Sequence, residues 1–285
     1  MDSVASTIPA QGQHGANRFQ GITETMLIPL WAKAMETQSE SPMIVDHKAV
    51  EMVNRIDYDF SKFKRGSLTQ VGVSVRTLLF DEIVRAFAKG RDQAVIVNLG
   101  AGLDTRRHRL ALANACWHDV DVAEAMAWRR AFFSEDDTWR FIEKSIFDYS
   151  WMEDIPADQP PLILAEGLFM YFPQERLRPL FQAMAEKFPG ADLYFEMLAP
   201  IMVGMSRRHD TVKMTADVPE FLWGIKRSAD LNAWSPNIRF VEEWNYFDHH
   251  KARWGAFGVV ARLPLLRPWF ASRIVHVRFG DPSKA

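Results

Sequence analysis

The sequence predicts an α/β fold built on a mostly parallel, seven-stranded sheet that ends in an antiparallel edge hairpin. Three observations predict it. From Ala94 onward, short apolar runs ending in glycine or acid alternate with amphipathic stretches, as in a parallel sheet with crossover helices. The block before Ala94 shows only helical periods, so it precedes the sheet as a helical lid. The last two strand-like segments alternate apolar and polar residues and suit an edge hairpin.

Taken in order, residues 1–20 read as a flexible tail and 21–285 as a single domain. That domain divides into a helical lid (21–90), a core (91–199), an insertion (200–236) and closing strands (237–285). In the lid, Thr23 to Thr37 places Met26, Leu27, Leu30, Trp31 and Ala34 on one face, and 44–56 and 70–88 are also periodic. The strands are AVIVNL (94–99), CWHDVD (116–121), a stretch near 141–147, PLILAE (161–166), ADLYFEM (191–197), IRFVEEW (238–244) and SRIVHVRFG (272–280). Between the fourth and fifth, Pro173 suits a first helical turn, and Leu177, Phe181, Met184 and Phe188 share a face. Pro179 predicts a restart or a kink there. The methionine- and tryptophan-bearing segment from Pro200 to Pro236 reads as a helical insertion, above the carboxyl ends of the strands where ligands bind in such sheets.

Composition narrows the function. Lysine and arginine number 34 against 36 acidic residues, so no bulk charge draws the chain to nucleic acid or an anionic membrane. A small molecule is the expected partner. The single cysteine, Cys116, leaves no disulfide framework or cysteine-based zinc cluster, and no metal is expected. The first residues lack a signal-peptide pattern and no apolar run has spanning length, which points to the cytoplasm.

The segment VIVNLGAGLDTR is a strand entering a glycine-rich turn and then a helix, the arrangement that brings a ligand up to backbone N–H groups. Gly100, Ala101 and Gly102 form that turn. Asp121 ends the next strand, 121 − 100 = 21 residues on, near the roughly 20 expected of a carboxylate that accepts hydrogen bonds from ribose hydroxyls. A nicotinamide dehydrogenase would show both features. However, Thr105 stands where a dinucleotide fingerprint carries its last small residue, and a looser turn suits a cofactor without a pyrophosphate.

The strings VIVNLGAGLDTRRHRL, WHDVDVAEAMAWRR and LILAEGLFMYFPQE, with TMLIPLWAKAMETQSESPMIVDHKAVEMVNRIDYDF and VSVRTLLFD upstream, resemble the leucine carboxyl methyltransferase family. The resemblance is to its bacterial and fungal branch acting on polyketides and other small metabolites, and it covers roughly residues 21–197. It implies a Rossmann-like class I methyltransferase fold and S-adenosylmethionine as cofactor, with S-adenosylhomocysteine as product. It also implies that Arg76 pairs with the methionine carboxylate, Gly100, Ala101 and Gly102 form the turn, and Asp121 holds the ribose. Phe147 and Asp148 then lie at the adenine, and Glu166 near the methionine amine. Asn98 departs from methyltransferases generally, many of which carry an acid there.

None of the eight histidines stands in a recognisable catalytic context, so no catalytic base is assigned. Methyl transfer from a sulfonium depends mainly on approximation and exclusion of water. A carboxylate acceptor, ionised at neutral pH, needs no base, whereas a phenol benefits from one. Ester formation on a secondary metabolite is therefore expected, with phenol methylation as the alternative. Oxidoreductase and non-catalytic cofactor-binding roles are more distant readings. Met26, Trp31, Tyr171 and Trp223 are the expected walls of a pocket for a flat acceptor.

Overall fold

A computed structural model describes residues 22–280, apart from residues 157, 256–257, 260–262, 264 and 271. The tail expected over 1–20 lies outside the described residues. Four helices come first: α1 (Ile22–Thr25), α2 (Leu27–Thr37), α3 (His47–Arg55) and α4 (Ser67–Ala88). The single helix expected from Thr23 to Thr37 is interrupted at Met26. Pro29 has no N–H for the carbonyl of Thr25, and its ring crowds that carbonyl, so the chain turns there. α3 begins where Asp46 accepts the Ala49 N–H at 2.9 Å, an N-cap that overrides the apolar residues before it.

The sheet follows as β1 (Ala94–Leu99), β2 (Ala115–Asp121), β3 (Trp139–Glu143), β4 (Leu162–Ala165), β5 (Asp192–Met197), β6 (Ile238–Asn245) and β7 (Arg273–Phe279). Its order is β3-β2-β1-β4-β5-β7-β6. The pairs among β1 to β5 are parallel, and β7 runs antiparallel to both β5 and β6. The expected seven strands and edge hairpin are all present. β3 differs from its expected span: it begins at the buried Trp139 and stops at Glu143, because residues 145–148 turn into a 3-10 helix at Tyr149–Asp154.

The connecting helices are α5 (Arg106–Leu110), α6 (Ala123–Arg130) and α7 (Gln174–Lys187), with α8 (Arg267–Phe270) near the end. α7 does not restart at Pro179 but runs on as one helix, although the proline leaves the carbonyl of Glu175 without its helical donor. Leu177, Leu180, Phe181 and Met184 are buried on one face, and that burial holds the helix to the sheet.

Alternation along the strands divides the core in two. Ile96, Trp117, Phe141 and Leu164 face the N-terminal helices, while Val95, Val97, Ile163, Leu193 and Phe195 face α7. The helical insertion after β5 takes the form of short 3-10 turns at Pro200–Met202, Ser206–Arg208, Val212–Met214 and Ser228–Trp234. Gly204 N–H donates to Phe221 O at 2.8 Å and Leu222 N–H to Met170 O at 2.7 Å, folding the insertion back onto the turn after β4. Among the described residues, no helix is long and apolar enough to cross a membrane.

Candidate functional site

Strand order reverses between β1 and β4, and the crevice outside their carboxyl ends is where open α/β sheets bind ligands. A cavity of about 650 Å³ lies there, bounded by the glycine turn after β1, the turn after β4, the N-terminal helices and the 3-10 turns after β5.

The glycine turn is fixed from several sides. Gly100 and Gly102 have φ of 66° and 43°, left-handed values that disfavour other residues. A Cβ at Gly100 would lie 2.7 Å from Leu168 Cδ1, so the space left by this glycine is taken by a packed leucine and is not free for a ligand. Asp121 Oδ2 accepts the Gly102 N–H at 2.7 Å, and Oδ1 accepts the Val122 N–H at 2.8 Å. Burial raises the Asp121 pKa despite these donors. Buried Arg129 donates to the carbonyls of Gly102 and Asp104 at 3.0 and 3.1 Å, and its Nε is 2.9 Å from Asp119.

Beneath the turn runs a buried ionic network. Arg106 meets Asp81 at 3.0 Å, Asp104 at 2.5 Å and, through Nη2, Glu166. Arg109 meets Asp81 at 2.7 Å and Asp46 at 2.8 Å, and Lys33 donates to Thr105 Oγ1 at 3.2 Å. Burial lowers the Lys33 pKa, with Asp104 and Asp46 opposing it. Asp104 also accepts the Arg106 N–H at 3.0 Å, the capping role that its position in the motif suggests.

Arg76 lies across the cavity floor. Its Nε donates to Glu166 at 2.8 Å and its Nη1 to Glu196 at 2.6 Å; among the described residues, Nη2 has no acceptor. Burial alone would lower the guanidinium pKa, but Glu196 and Glu166 outweigh it and raise it. A Cβ at Gly167, where φ is 66°, would sit 3.5 Å from Arg76 Nη1 and 3.7 Å from Nη2. A side chain at position 167 would therefore lie against the guanidinium. Glu166 gives Oε1 to Arg76 and Oε2 to Arg106. Burial pushes its pKa up, and the two arginines bring it below the usual carboxylate value.

The structure brings Arg76, Gly100, Ala101, Gly102, Asp121, Phe147, Glu166, Met26 and Tyr171 into the cavity wall. Three expected residues fall outside it. Asp148 is exposed and accepts the Ser150 N–H at 3.2 Å, capping the 3-10 helix that follows; those hydrogen bonds hold its pKa below the ordinary value. Trp31 is buried against Phe63, with ring centroids 5.7 Å apart. Trp223 lies in the opposite core, 5.9 Å from Phe195 and 5.8 Å from Trp234. Both tryptophans obey the helix or loop pattern that placed them but pack inward, because each bare sheet face needs large apolar cover.

Arg129, Gly167, Glu196 and Tyr246 are not among the residues expected at the site, and the last three line the cavity, as does His209, one of the histidines whose sequence context marks no catalytic role. An acid inside the otherwise apolar strand DLYFEM was a usable signal for Glu196, since a buried carboxylate needs donors. For Tyr246 and His209 only the tertiary arrangement speaks.

The fold and site define a Rossmann-like α/β protein with a deep crevice where its strand order reverses. The sequence pattern of leucine carboxyl methyltransferases matches residues 26–185, and the chain belongs to that family. It is 28% identical over 270 residues to the tetracenomycin polyketide synthesis O-methyltransferase TcmP of Streptomyces glaucescens, covering 92% of this chain and 98% of that one. It is 25% identical over 277 residues to the S-adenosyl-L-methionine-dependent methyltransferase dpfgK of Gibberella zeae, covering 90% and 93%. Among solved structures, a DUF574 family protein from Streptomyces avermitilis superposes with a TM-score of 0.54 at 12% identity, covering 90% of this chain and 97% of that one, which shows the shared fold.

Proposed function

We propose that this S-adenosylmethionine-dependent O-methyltransferase of the leucine carboxyl methyltransferase family esterifies a carboxylate on a flat, aromatic small molecule. The observation that carries the cofactor half is one crevice lined by both Asp121 and Arg76, whose Nη2 has no acceptor among the described residues. Asp121 has about four acceptor positions and spends two on main-chain N–H groups, leaving two for a ribose diol. Arg76 keeps donors for an α-carboxylate. Both features fit the cofactor. When bound, it supplies an electrophilic methyl group on a sulfonium.

The protein's own contributions are orientation and dryness. Glu166 and Glu196 hold the Arg76 guanidinium in one plane, and the network through Arg106 holds Glu166. Glu166 thus aims Arg76, and with two of its about four acceptor positions spent on the arginines it keeps two for the methionine amine. Phe147, against Phe172 and beneath the Arg176 guanidinium 3.7 Å from its ring centroid, offers a flat surface for a base. α1 to α4 read as a lid over this end. Tyr171 and Phe221, with ring centroids 5.7 Å apart, and the cavity-lining Met26 read as walls for the acceptor, excluding water from the nucleophile. A carboxylate with a pKa near 4 arrives ionised and needs no proton acceptor.

Incubation with labelled cofactor and a panel of aromatic carboxylic acids and phenols, followed by alkaline treatment of the products, tests the reading. Alkali-labile products are expected. Base-stable ethers would overturn the ester assignment, and stabilisation by NAD but not by adenosylhomocysteine would overturn the cofactor assignment as well.

A further inference from the structure

His209 is the one histidine among the residues lining the cavity, and its chemistry is readable from its partners. It follows the 3-10 turn Ser206–Arg208 and packs edge-on to Phe221, ring centroids 5.8 Å apart, with Tyr171 beyond. Its Nδ1 faces the Thr211 hydroxyl at 3.3 Å, where either atom can donate, and the main-chain N–H groups of Val212 at 3.4 Å and Thr211 at 3.5 Å point at the same nitrogen. Asp210 comes within 3.4 Å of the same nitrogen, without the alignment of a hydrogen bond. Its carboxylate is engaged by Thr69, whose hydroxyl donates to Oδ1 and whose main-chain N–H donates to Oδ2 at 3.3 Å.

A neutral imidazole has one N–H and one acceptor nitrogen, and the partner of one fixes the other. Burial lowers the His209 pKa, with Asp210 opposing, so the neutral ring prevails at pH 7. A proton on Nδ1 would meet the two main-chain N–H groups aimed at it, so the proton belongs on Nε2 and the Thr211 hydroxyl donates to Nδ1; Nε2 itself has no acceptor among the described residues. A ring in that state cannot take a proton at Nε2. It can only donate one.

We propose that His209 positions the methyl acceptor by donating its Nε2–H to an oxygen of that molecule, and that it does not act as a general base. The turns after β5 would then set substrate register through the tautomer they impose. This rests on the acceptor end of the cavity being as proposed above, and it adds a specificity-determining residue to that end.

The first test needs no substrate. Long-range 1H–15N spectra of histidine-labelled protein should show His209 as the Nε2–H tautomer at pH 7.5; an Nδ1–H signature would overturn the assignment. The second uses 2-naphthoate as a probe, titrated in the presence of saturating adenosylhomocysteine. His209→Phe keeps the ring and loses the donor, and should weaken the probe about tenfold, the factor for one hydrogen bond to a charged group. His209→Gln, which returns an amide N–H near the Nε2 position, should recover most of that loss. Equal binding by wild type and His209→Phe would overturn the proposal. So would a 10²- to 10⁴-fold fall in kcat, at unchanged KM, in both variants on an acceptor found in the panel, because that pattern belongs to a lost base. Adenosylhomocysteine affinity, measured separately in each protein, should not move. Its absence in the wild type would sink the cofactor reading while leaving the tautomer measurement intact.

Discussion

Replacing Asp121 with asparagine removes one charge and, in this structure, one of two main-chain contacts. The aspartate receives Gly102 N–H at 2.7 Å and Val122 N–H at 2.8 Å on different oxygens. An amide presents one oxygen and one NH2, so one of those two N–H groups would face a donor. Leaving it unsatisfied costs about 1–3 kcal/mol of stability. The two remaining acceptor positions would go from charged to neutral or be lost, about 1–1.5 kcal/mol each, which multiplies to a roughly 30- to 150-fold loss of adenosylhomocysteine affinity. The pH response adds an independent readout. Burial raises the Asp121 pKa in the free protein, and donated ribose hydroxyls favour the ionised form, so cofactor binding releases protons near that pKa. Affinity in the wild type should therefore fall as pH drops through the raised carboxylate value and stay level above it. In Asp121→Asn this component should vanish. Calorimetry in two buffers of different ionisation enthalpy measures both effects. Wild-type affinity in the variant would refute the ribose role.

Other consequences follow from the same contacts. Glu166→Gln leaves Arg106 and Arg76 short of a buried counter-charge and should cost about 3–5 kcal/mol in denaturant unfolding, with adenosylhomocysteine binding weakened further because Arg76 loses its Nε anchor. Gly100→Ala places a methyl group 2.7 Å from Leu168 at a left-handed φ; overpacking and backbone strain together should lower stability by about 2–4 kcal/mol, and a neutral result would show that Leu168 moves freely. Trp223→Phe should lower thermal stability without changing acceptor KM, since the indole packs in the core away from the cavity; a KM change at unchanged stability would return it to the acceptor site. Burial pushes the Tyr171 phenol up to about 12, against about 10 in the unfolded chain. A raised pKa contributes stability that is complete below pH 10 and is lost as pH rises toward 12, so denaturant midpoints should decline over that interval, less steeply in Tyr171→Phe.

The sequence determined what local pattern can carry. Runs such as AVIVNL and PLILAE are buried on both faces and announce parallel strands. The pair of Gly100 and Asp121, one at each strand end, announced a nucleoside crevice because both ends lie on adjacent strands in any such sheet. Residues that act through neighbours distant in the chain were decided by the tertiary structure. Asp148, expected at the adenine, is placed outside the cavity wall, where it caps the 3-10 helix that follows through the Ser150 N–H. Trp31 and Trp223 have the bulk of acceptor walls, yet which face of a helix or loop meets the cavity depends on how elements dock. Glu166 stands at its strand end as expected, but its partners are Arg76, 90 residues earlier, and Arg106, 60 residues earlier. No local signal couples three such charges. The tautomer proposed for His209 likewise depends on the main-chain N–H groups of Thr211 and Val212, aimed at its Nδ1 only once the insertion has folded. Strand periodicity is a property of consecutive residues and survives in the sequence, whereas ion-pair and tautomer choices are properties of atoms brought together only when the chain folds.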